Sequence, residues 1–251
     1  MTTIDLNADL GEGLGNWRHG DDEALLDVVS SANIACGFHA GDPTIMRETC
    51  RAAAARGVRI GAHVGYPDLA GFGRREMGLT DGEVLDAIIV QIGSLAACAA
   101  SVGARVSHVK LHGALYHRAA WHAETASTAI AAIQAVDRDL ALLGPPGSAL
   151  ADACSRDGTA MIAEGFVDRC YEPDGRLATR SAPGGLLPAR LAVEQAVALA
   201  LHGRARTGDG TEIRVPVQSI CLHGDSSDAV RTARAVSRAL RDAGVEIRPF
   251  A

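Results

Sequence analysis

The sequence predicts an α/β protein in which a parallel sheet closes, or nearly closes, into a barrel. Short apolar runs typical of strands alternate with longer helical patterns through all 251 residues, and this alternation indicates a parallel sheet covered by helices. Seven such units without long inserts favour a barrel over an open sheet. A composition that is 47% apolar but only 4% aromatic, with 28 glycines, suits tight packing of helices against strands.

Seven segments have the length and composition of buried strands. They are 3–9, 32–37, 58–64, 106–112, 139–144, 160–166 and 217–223. Residues 244–250 could add a further strand, so the expected count is seven or eight. The helices are expected near 21–31, 43–56, 80–102, 122–137, 147–157, 188–202 and 227–243.

Several of these helices carry start signals. Asp42 precedes a proline and is placed to cap the second helix, and Thr80 with Glu83 forms a capping box at the third. Ser226 or Ser227 is placed to cap the last helix. The proposed boundaries therefore have chemical support beyond periodicity.

One stretch departs from the alternation of strands and helices. Residues 206–217 contain an Asp-Gly turn between extended segments and predict a β-hairpin inserted before the last strand. No linker or low-complexity tract divides the chain, so we expect a single barrel domain over residues 1–251.

Charge and cysteine usage exclude several classes of protein. The net charge is −6 and the arginines are scattered, whereas nucleic-acid binding needs a concentrated basic face. The six cysteines lack CxxC spacing and are expected to be reduced thiols. The N-terminus has neither a basic start nor an apolar run, and no apolar stretch reaches about 18 residues. We therefore expect a soluble, cytoplasmic protein.

Ionisable and amide side chains collect where the predicted strands end. Since the carboxyl ends of parallel strands converge on one rim of a barrel, these groups are expected to meet there in an active site. A single buried Asp or His is more often structural, but burying so many charges without partners or purpose would be costly. The residues are Asp5, Asn7, Asp9, Glu12, Asn33, His39, Asp42, His63, Lys110, His112, Glu164, Asp168, Arg169, His223 and Asp225.

The stretch SHVKLHGALYH, residues 107–117, holds three histidines and the only lysine of a chain with 23 arginines. His108, Lys110 and His112 share one strand face because side chains alternate along a strand. His112, at the strand end, is the strongest catalytic candidate, and His108 lies deeper, in the core or behind the site. His117 and His122 are expected on a loop or helix surface. This stretch alone therefore does not form a compact metal site.

Seven longer motifs, in order from residue 5 to residue 225, resemble those of the LamB/YcsF family. They are DLNADLGE, SANIACGFHAGD, IGAHVGYPDLAGFGRR, VKLHGALY, AEGFVDRCY, TRSAPGG and ICLHGD. The resemblance implies an irregular seven-stranded TIM-like barrel of the glycoside hydrolase and deacetylase type. It also implies the A component of a bacterial 5-oxoprolinase, which opens 5-oxo-L-proline to L-glutamate at the expense of ATP with partner subunits B and C. The chain departs from the usual motifs at Leu111, where proline is usual, and at His117, where asparagine is usual.

The implied reaction needs groups that the sequence only partly supplies. The chain has no GxxxxGK[ST] loop and no GxGxxG after a strand. We therefore expect the partner subunits to activate the lactam oxygen with ATP, alone or with this chain, which then hydrolyses the activated ring.

That hydrolysis needs a base, an acid for the departing nitrogen and cations for the anionic groups. The base candidates are Asp9, Glu12 and Glu164. The acid or oxyanion candidates are His39, His63, His112 and His223. The anion-binding candidates are Lys110, Arg74 and Arg169, and the remaining substrate-binding candidates are Asn7, Asn33, Asp168 and Asp225.

Two other functions fit the same residues. Asp and His at converging strand ends could hold zinc or another divalent ion, as in a metal-dependent deacetylase or amidohydrolase. The chain could also be a non-catalytic component that binds substrate for its partners. The residues alone leave open whether a metal is used, where ATP binds and which carboxylate is the base.

Overall fold

Seven parallel strands form a closed barrel in the computed structural model, which describes residues 1–180, 182, 184–224 and 228–250. In chain order the strands of the described residues are β1 (Thr2–Leu10), β2 (Ser31–Ala35), β3 (Arg59–Val64), β4 (Val106–Leu111), β5 (Ala141–Gly144), β6 (Met161–Phe166), β7 (Arg204–Arg206), β8 (Glu212–Arg214), β9 (Ser219–Leu222) and β10 (Val245–Ile247). Three of them, β7, β8 and β10, lie outside the barrel. Neighbours pair in the order β1-β2-β3-β4-β5-β6-β9, and β9 pairs with β1 to close the ring.

The eighth strand is real but lies outside the ring. β10 pairs with Thr2–Ile4 at the start of β1, whereas β9 pairs with Asp5–Ala8 further along the same strand. β1 is long enough to pair first with β10 and then with β9 along the same edge. The expectation of seven or eight strands is therefore met by seven in the barrel and one beside its lower end.

Helices surround the barrel at nearly all the predicted places. They are α1 (Asp22–Leu26), α2 (Pro43–Ala55), α3 (Asp81–Ala100), α4 (Gly113–Trp121), α5 (Ala123–Val136), α6 (Ala149–Asp157), α7 (Ala189–His202) and α8 (Ala229–Asp242). The first helix is shorter than predicted, and α4 was not predicted. α4 follows His112 without a side-chain cap, so its start carries no capping signal in the sequence.

The local signals that the structure describes behave as expected. Asp42 caps α2 by accepting from two backbone N–H groups, and Thr80 and Glu83 complete a capping box on α3. The predicted hairpin is the antiparallel pair β7–β8. Ser226 and Ser227 lie outside the described residues, so the cap expected there stays a prediction.

α3 is long and apolar enough to cross a membrane by length and composition alone, with a mean hydropathy of 1.6. It is nevertheless a helix of the outer layer. Ile88, Ile92 and Leu95 are buried against the barrel, and the Gln91 amide donates to the Gly65 carbonyl while accepting from the Gly65 N–H. The apolar character of α3 is therefore used in packing.

The interior of the barrel is polar, whereas the apolar core lies between the strands and the helices. Near the bottom, the Asp5 carboxylate accepts hydrogen bonds from the hydroxyls of Ser30, Ser31 and Ser219. Burial raises the pKa of Asp5 even though these hydroxyls lower it. Polar groups thus run up the barrel axis towards the carboxyl ends of the strands.

Candidate active site

A cavity of about 320 Å³ opens at the carboxyl ends of the barrel strands, as predicted from the polar strand ends. Many of the candidate residues line it: Asp9, Glu12, His63, Arg74, Lys110, His112, Arg169 and His223. They come from β1, β3, β4, β6 and β9 or from the loops that follow these strands. The convergence of strand ends brings together residues that are far apart in the chain.

Other candidate residues lie behind or beneath the cavity wall. Asn7 and Asn33 are fully buried inside the barrel, and Glu164 lies beside them. His39 is buried behind the rings that face the cavity, and Asp168 contacts His223. Asp225 lies outside the described residues, so its role stays a prediction.

Lys110 lies at the floor of the cavity and is almost completely buried. Its Nζ is 3.0 Å from Asp9 Oδ1 and 2.9 Å from Glu164 Oε1. It also donates to Cys221 Sγ at 3.0 Å. One ammonium therefore joins two buried carboxylates that come from different strands of the barrel.

The charges of this group stabilise one another. Burial alone would lower the pKa of Lys110, but the nearby Asp9 and Glu164 carboxylates help to raise it well above its ordinary value. Burial alone would raise the pKa of Asp9, but His63 and Lys110 hold it well below its ordinary value. At neutral pH the pair is therefore an ammonium and a carboxylate.

A chain of hydrogen bonds beneath the floor holds Asp9 in place. The Asn33 amide donates to Asp9 Oδ1 at 2.9 Å and to Asn7 Oδ1 at 2.8 Å. His108 lies 3.0 Å from Asn33 Oδ1, and burial lowers the pKa of His108 to about 3. A neutral His108 therefore donates its Nε2 hydrogen to this oxygen. Asn7, Asn33 and His108 orient the floor from below.

Four further side chains meet at one side wall: Glu12, His39, His63 and His112. One ligand atom from each lies within 4.8 Å of all the others, and all four side chains are buried. The His39 and His112 rings stack with centroids 3.8 Å apart. Burial, with the neighbouring His39 and His63, lowers the pKa of His112 well below its ordinary value. Residues 107–117 do not form a metal site alone, but His112 joins a cluster of four potential metal ligands that come from four strand ends.

The loop after β3 contributes to this wall through Phe72 and Gly73. Phe72 has a φ of 54°, which is rare for an aromatic residue, and its carbonyl lies 2.8 Å from His112 Nε2. A Cβ on Gly73 would lie 2.8 Å from the Cβ of His39 and 2.9 Å from the His112 ring. The GFGRR motif is therefore shaped to fit against two imidazoles.

A histidine–carboxylate pair lies on the β6–β9 side of the cavity. His223 Nδ1 is 3.0 Å from both carboxylate oxygens of Asp168, and the His223 N–H donates to the same carboxylate. Burial alone would raise the pKa of Asp168, but His223 lowers it below its ordinary value. An ionised Asp168 accepts the Nδ1 hydrogen and fixes the tautomer, so Nε2 is the nitrogen of His223 that can exchange a proton with a ligand.

Arginines at the rim give the cavity positive charge above its floor. Arg74 lies over the Phe72 ring at 4.9 Å and lines the cavity, whereas Arg75 binds Asp68. Arg169 is buried and donates to the carbonyls of Ala178 and Gly185. Arg169 therefore orders the loop after β6 as well as lining the cavity.

Three ionisable residues that line the cavity were not among the predicted site residues. They are Tyr116, His117 and Arg180. His117 lies exposed on the surface of α4, as expected for a loop or helix-surface residue, and it also lines the edge of the cavity. Arg180 stands in the TRSAPGG motif, which was a usable signal, but its position depends on how the loop after β6 folds over the barrel.

Comparison with known proteins agrees with this fold. Residues 4–251 match the LamB/YcsF family. This chain belongs to the LamB/YcsF family. A relative from Nocardia farcinica, the A component of a 5-oxoprolinase, is 53% identical over 247 residues, covering 98% of this chain and 99% of that relative. The resemblance seen in the sequence motifs is therefore confirmed.

Two solved structures have the same fold as this chain. A lactam utilization protein from Thermus thermophilus is 42% identical and superposes with a TM-score of 0.93, covering 99% of this chain and 100% of that one. A polysaccharide deacetylase from Bacillus cereus shares the fold at 12% identity and a TM-score of 0.50, covering 100% and 93%. The expected seven-stranded, TIM-like barrel of the deacetylase type is confirmed.

The two departures from the usual family motifs fall in different places. Leu111 is fully buried in the apolar core at the end of β4. His117 lies on α4 at the edge of the cavity. Only the second therefore places an ionisable group of this chain at the cavity edge.

Proposed function

We propose that this chain is the ring-opening component of an ATP-dependent 5-oxoprolinase that converts 5-oxo-L-proline and water to L-glutamate. It acts in the cytoplasm with partner subunits B and C, and ATP is bound with those partners. The observation that carries the proposal is the cavity itself, where an ionised Asp9 paired with Lys110 lies at the floor, and His223, oriented by Asp168, lies at the wall.

The reaction requires an activated lactam. Transfer of the γ-phosphoryl group of ATP to the lactam oxygen makes the ring carbon strongly electrophilic and turns that oxygen into a phosphate leaving group. Water then adds to the carbon, and the ring C–N bond breaks as the nitrogen takes up a proton, which leaves the γ-carboxyl of glutamate as an acyl phosphate. A second water releases the phosphate and yields L-glutamate. Because the described strand–helix junctions offer no phosphate-binding glycine loop, we assign the phosphoryl transfer to the partners and the hydrolysis to this chain.

We assign to Asp9 the role of orienting the attacking water and accepting its proton. Its low pKa keeps the carboxylate ionised at neutral pH, and Lys110 and Asn33 fix its Oδ1 so that Oδ2 remains to orient water. A carboxylate of low pKa is a weak base, but a phosphorylated lactam is electrophilic enough to react with water that is only partly deprotonated. The neighbouring ammonium of Lys110 also stabilises negative charge developing on the ring oxygen.

We assign to His223 the role of protonating the departing ring nitrogen. Asp168 holds its Nδ1 hydrogen, so Nε2 delivers the proton as the C–N bond breaks. The arginines at the rim, Arg74 and Arg180, supply the positive charge that the substrate carboxylate and the phosphate need. Glu164 supports the floor by holding Lys110 and Asn7.

Reconstitution with the partner subunits tests this proposal. The isolated chain should show little 5-oxoproline-dependent ATP hydrolysis, and adding both partners should restore it. Asp9→Asn and His223→Asn should each lower kcat by about 100-fold or more in the reconstituted enzyme. The surface variants Asp139→Asn and His202→Asn are matched controls, because both residues are exposed. Robust turnover by the isolated chain would contradict the division of labour, and normal turnover of both cavity variants would contradict the assigned roles.

A further inference from the structure

The side wall formed by Glu12, His39, His63 and His112 has the dimensions of a metal-binding site. Glu12 Oε1 lies 3.4 Å from His39 Nε2, 3.8 Å from His63 Nε2 and 3.6 Å from His112 Nδ1. A tetrahedral ion with bonds of about 2.0–2.1 Å separates its ligand atoms by about 3.3–3.4 Å. The three distances from Glu12 Oε1 are therefore close to the spacing of ligand atoms around one ion.

In two of these rings one nitrogen faces a backbone carbonyl, and the other, inner nitrogen faces the cluster. His63 Nδ1 lies 3.3 Å from the Lys110 carbonyl, and His112 Nε2 lies 2.8 Å from the Phe72 carbonyl. A carbonyl only accepts, so each ring carries its hydrogen on that outer nitrogen. With both rings neutral, the inner nitrogens, His63 Nε2 and His112 Nδ1, carry lone pairs, yet they are 2.9 Å apart. Two lone pairs at this distance repel each other unless a proton or a metal ion lies between them.

The other two side chains have buried polar atoms that make no hydrogen bond to any described residue. Glu12 Oε1 and both ring nitrogens of His39 make no hydrogen bond within the described part of the chain. Leaving such atoms unsatisfied is costly. A metal ion would satisfy the carboxylate oxygen and one nitrogen together, and it would also remove the repulsion between His63 and His112.

We propose that Glu12, His39, His63 and His112 bind one divalent metal ion, of the zinc class, at the wall of the cavity. Three imidazole nitrogens and one carboxylate suit zinc and its neighbours in the transition series, whereas magnesium and calcium prefer oxygen ligands throughout. The carbonyls of Lys110 and Phe72 orient the two rings as outer partners, which is usual for histidine ligands.

The four ligands should contribute unequally. The rings of His39 and His112 stack within 5° of parallel, so an ion in the plane of one ring lies outside the plane of the other. His112 is held by the Phe72 carbonyl, whereas no hydrogen bond within the described residues holds His39. His39 is therefore the ring that tilts to reach the ion, and its contribution to affinity should be the smallest of the three histidines.

The ion would face the proposed substrate. Glu12, His63 and His112 line the cavity, and Asp9 Oδ2 lies 3.4 Å from His63 Nε2. A bound ion supplies Lewis acidity, towards a water molecule oriented by Asp9 or towards an oxygen of the substrate. That use of the ion rests on the proposed function, whereas the binding of the ion does not.

Metal binding by the purified chain tests the site without any assay of activity. The protein is stripped with a chelator and titrated with Zn²⁺ by calorimetry and with Co²⁺ by visible absorption, in the absence of substrate and partners. We expect one ion per chain, with the visible spectrum of tetrahedral Co²⁺. Glu12→Gln and His63→Ala should each weaken binding by roughly 100-fold or more, and His39→Ala should weaken it by a smaller factor.

The exposed His122 supplies the control, because His122→Ala should leave metal affinity unchanged. Circular dichroism of each stripped variant separates loss of ligands from loss of fold, and Glu12→Gln keeps the shape of the side chain should His63→Ala fail to fold. Absence of stoichiometric binding at micromolar metal, or equal binding by the parent and a folded Glu12→Gln variant, would overturn the site. The proposed function would survive that result if the reconstituted, metal-free enzyme still turned over.

Discussion

Lys110 shows at the scale of one residue why a chain with 23 arginines keeps a lysine. Its Nζ fits between Asp9, Glu164 and Cys221, with all three contacts at 2.9–3.0 Å. A guanidinium is planar and longer, and it could not occupy this position without displacing one of the two carboxylates. The compact ammonium is therefore required by the space as well as by the charge.

Lys110→Arg and Lys110→Met should both lower kcat of the reconstituted enzyme by about 100-fold or more, since each loses the geometry at the floor. Lys110→Met should also lower the free energy of unfolding by about 3–5 kcal/mol, because it leaves Asp9 and Glu164 buried without their cation. Steady-state kinetics and urea unfolding measure the two effects, with the exposed Arg138→Lys as a control. Near-normal turnover of the arginine variant would show that charge alone suffices.

Asp22 gives a second residue-scale prediction, in the pH dependence of stability. Its carboxylate accepts from the Gly11 N–H at 2.9 Å, and burial raises its pKa to about 6 from an ordinary value of 3.8. The native state therefore holds this proton more tightly than the unfolded state. The free energy of unfolding consequently falls as pH rises from about 4 to about 6 and stays lower above that range.

Asp22→Asn removes this titration but keeps an oxygen for the Gly11 N–H. Relative to the parent, the variant should gain about 1–2 kcal/mol in unfolding free energy between about pH 4.5 and about pH 8, after allowance for the partial exposure of the side chain. Urea unfolding at the two pH values measures the difference. An identical change with pH in the two proteins would contradict the raised pKa.

At the scale of elements, the same residue type serves opposite purposes in two places. Gly93 lies on the exposed face of α3, and a Cβ there would meet no atom within 4 Å. Gly61 lies in β3, where a Cβ would lie 2.0 Å from His108 Nε2. The first glycine only weakens a helix, whereas the second makes room for a ring in the barrel interior.

Alanine substitutions at these glycines should therefore change stability in opposite directions. Gly93→Ala should raise the free energy of unfolding by about 0.5–1 kcal/mol, because alanine is the better helix former. Gly61→Ala should lower it by about 1–3 kcal/mol, because the His108 ring must shift. Urea unfolding of the two variants tests both statements, and a stabilising Gly61→Ala would show that His108 is not closely held.

At the scale of the whole molecule, one end of the barrel opens into the cavity and the other end is closed. The carboxyl end carries the cavity, while the other end is covered by Phe250, which packs with Ala141, Leu143 and Ile162. The Phe250 ring also meets the edge of His108, with 5.2 Å between the ring centroids. Stability at one end is thereby separated in space from chemistry at the other.

Phe250→Ala should lower the free energy of unfolding by about 3 kcal/mol, since it leaves a cavity beneath the barrel and lets water reach His108. The kcat of the folded, reconstituted enzyme should stay close to that of the parent, because the site lies at the opposite end. Phe250→Leu should recover most of the stability. Loss of turnover in fully folded Phe250→Ala would instead indicate that the two ends of the barrel are coupled.

Local pattern in the sequence was enough to predict the barrel and the rim at which the cavity opens. Apolar runs, caps and turn residues act over a few neighbours, so β1, the α2 cap and the β7–β8 hairpin were predicted from the sequence and confirmed. α4 was missed because Gly113 begins it without a capping side chain. The cavity thus lies at the predicted rim, although one helix next to it was not predicted.

The depth of each side chain and the choice of its partners depended on closure of the barrel. Alternation along a strand predicts that Asn7 and Asp9 share a face. Their depths in the barrel, however, follow from the pairing of β1 with both β2 and β9. The meeting of Glu12, His39, His63 and His112 likewise needs four strand ends, from residues up to 100 positions apart. Such contacts are set by the packing of the whole chain, because no local interaction relates residues so distant in sequence.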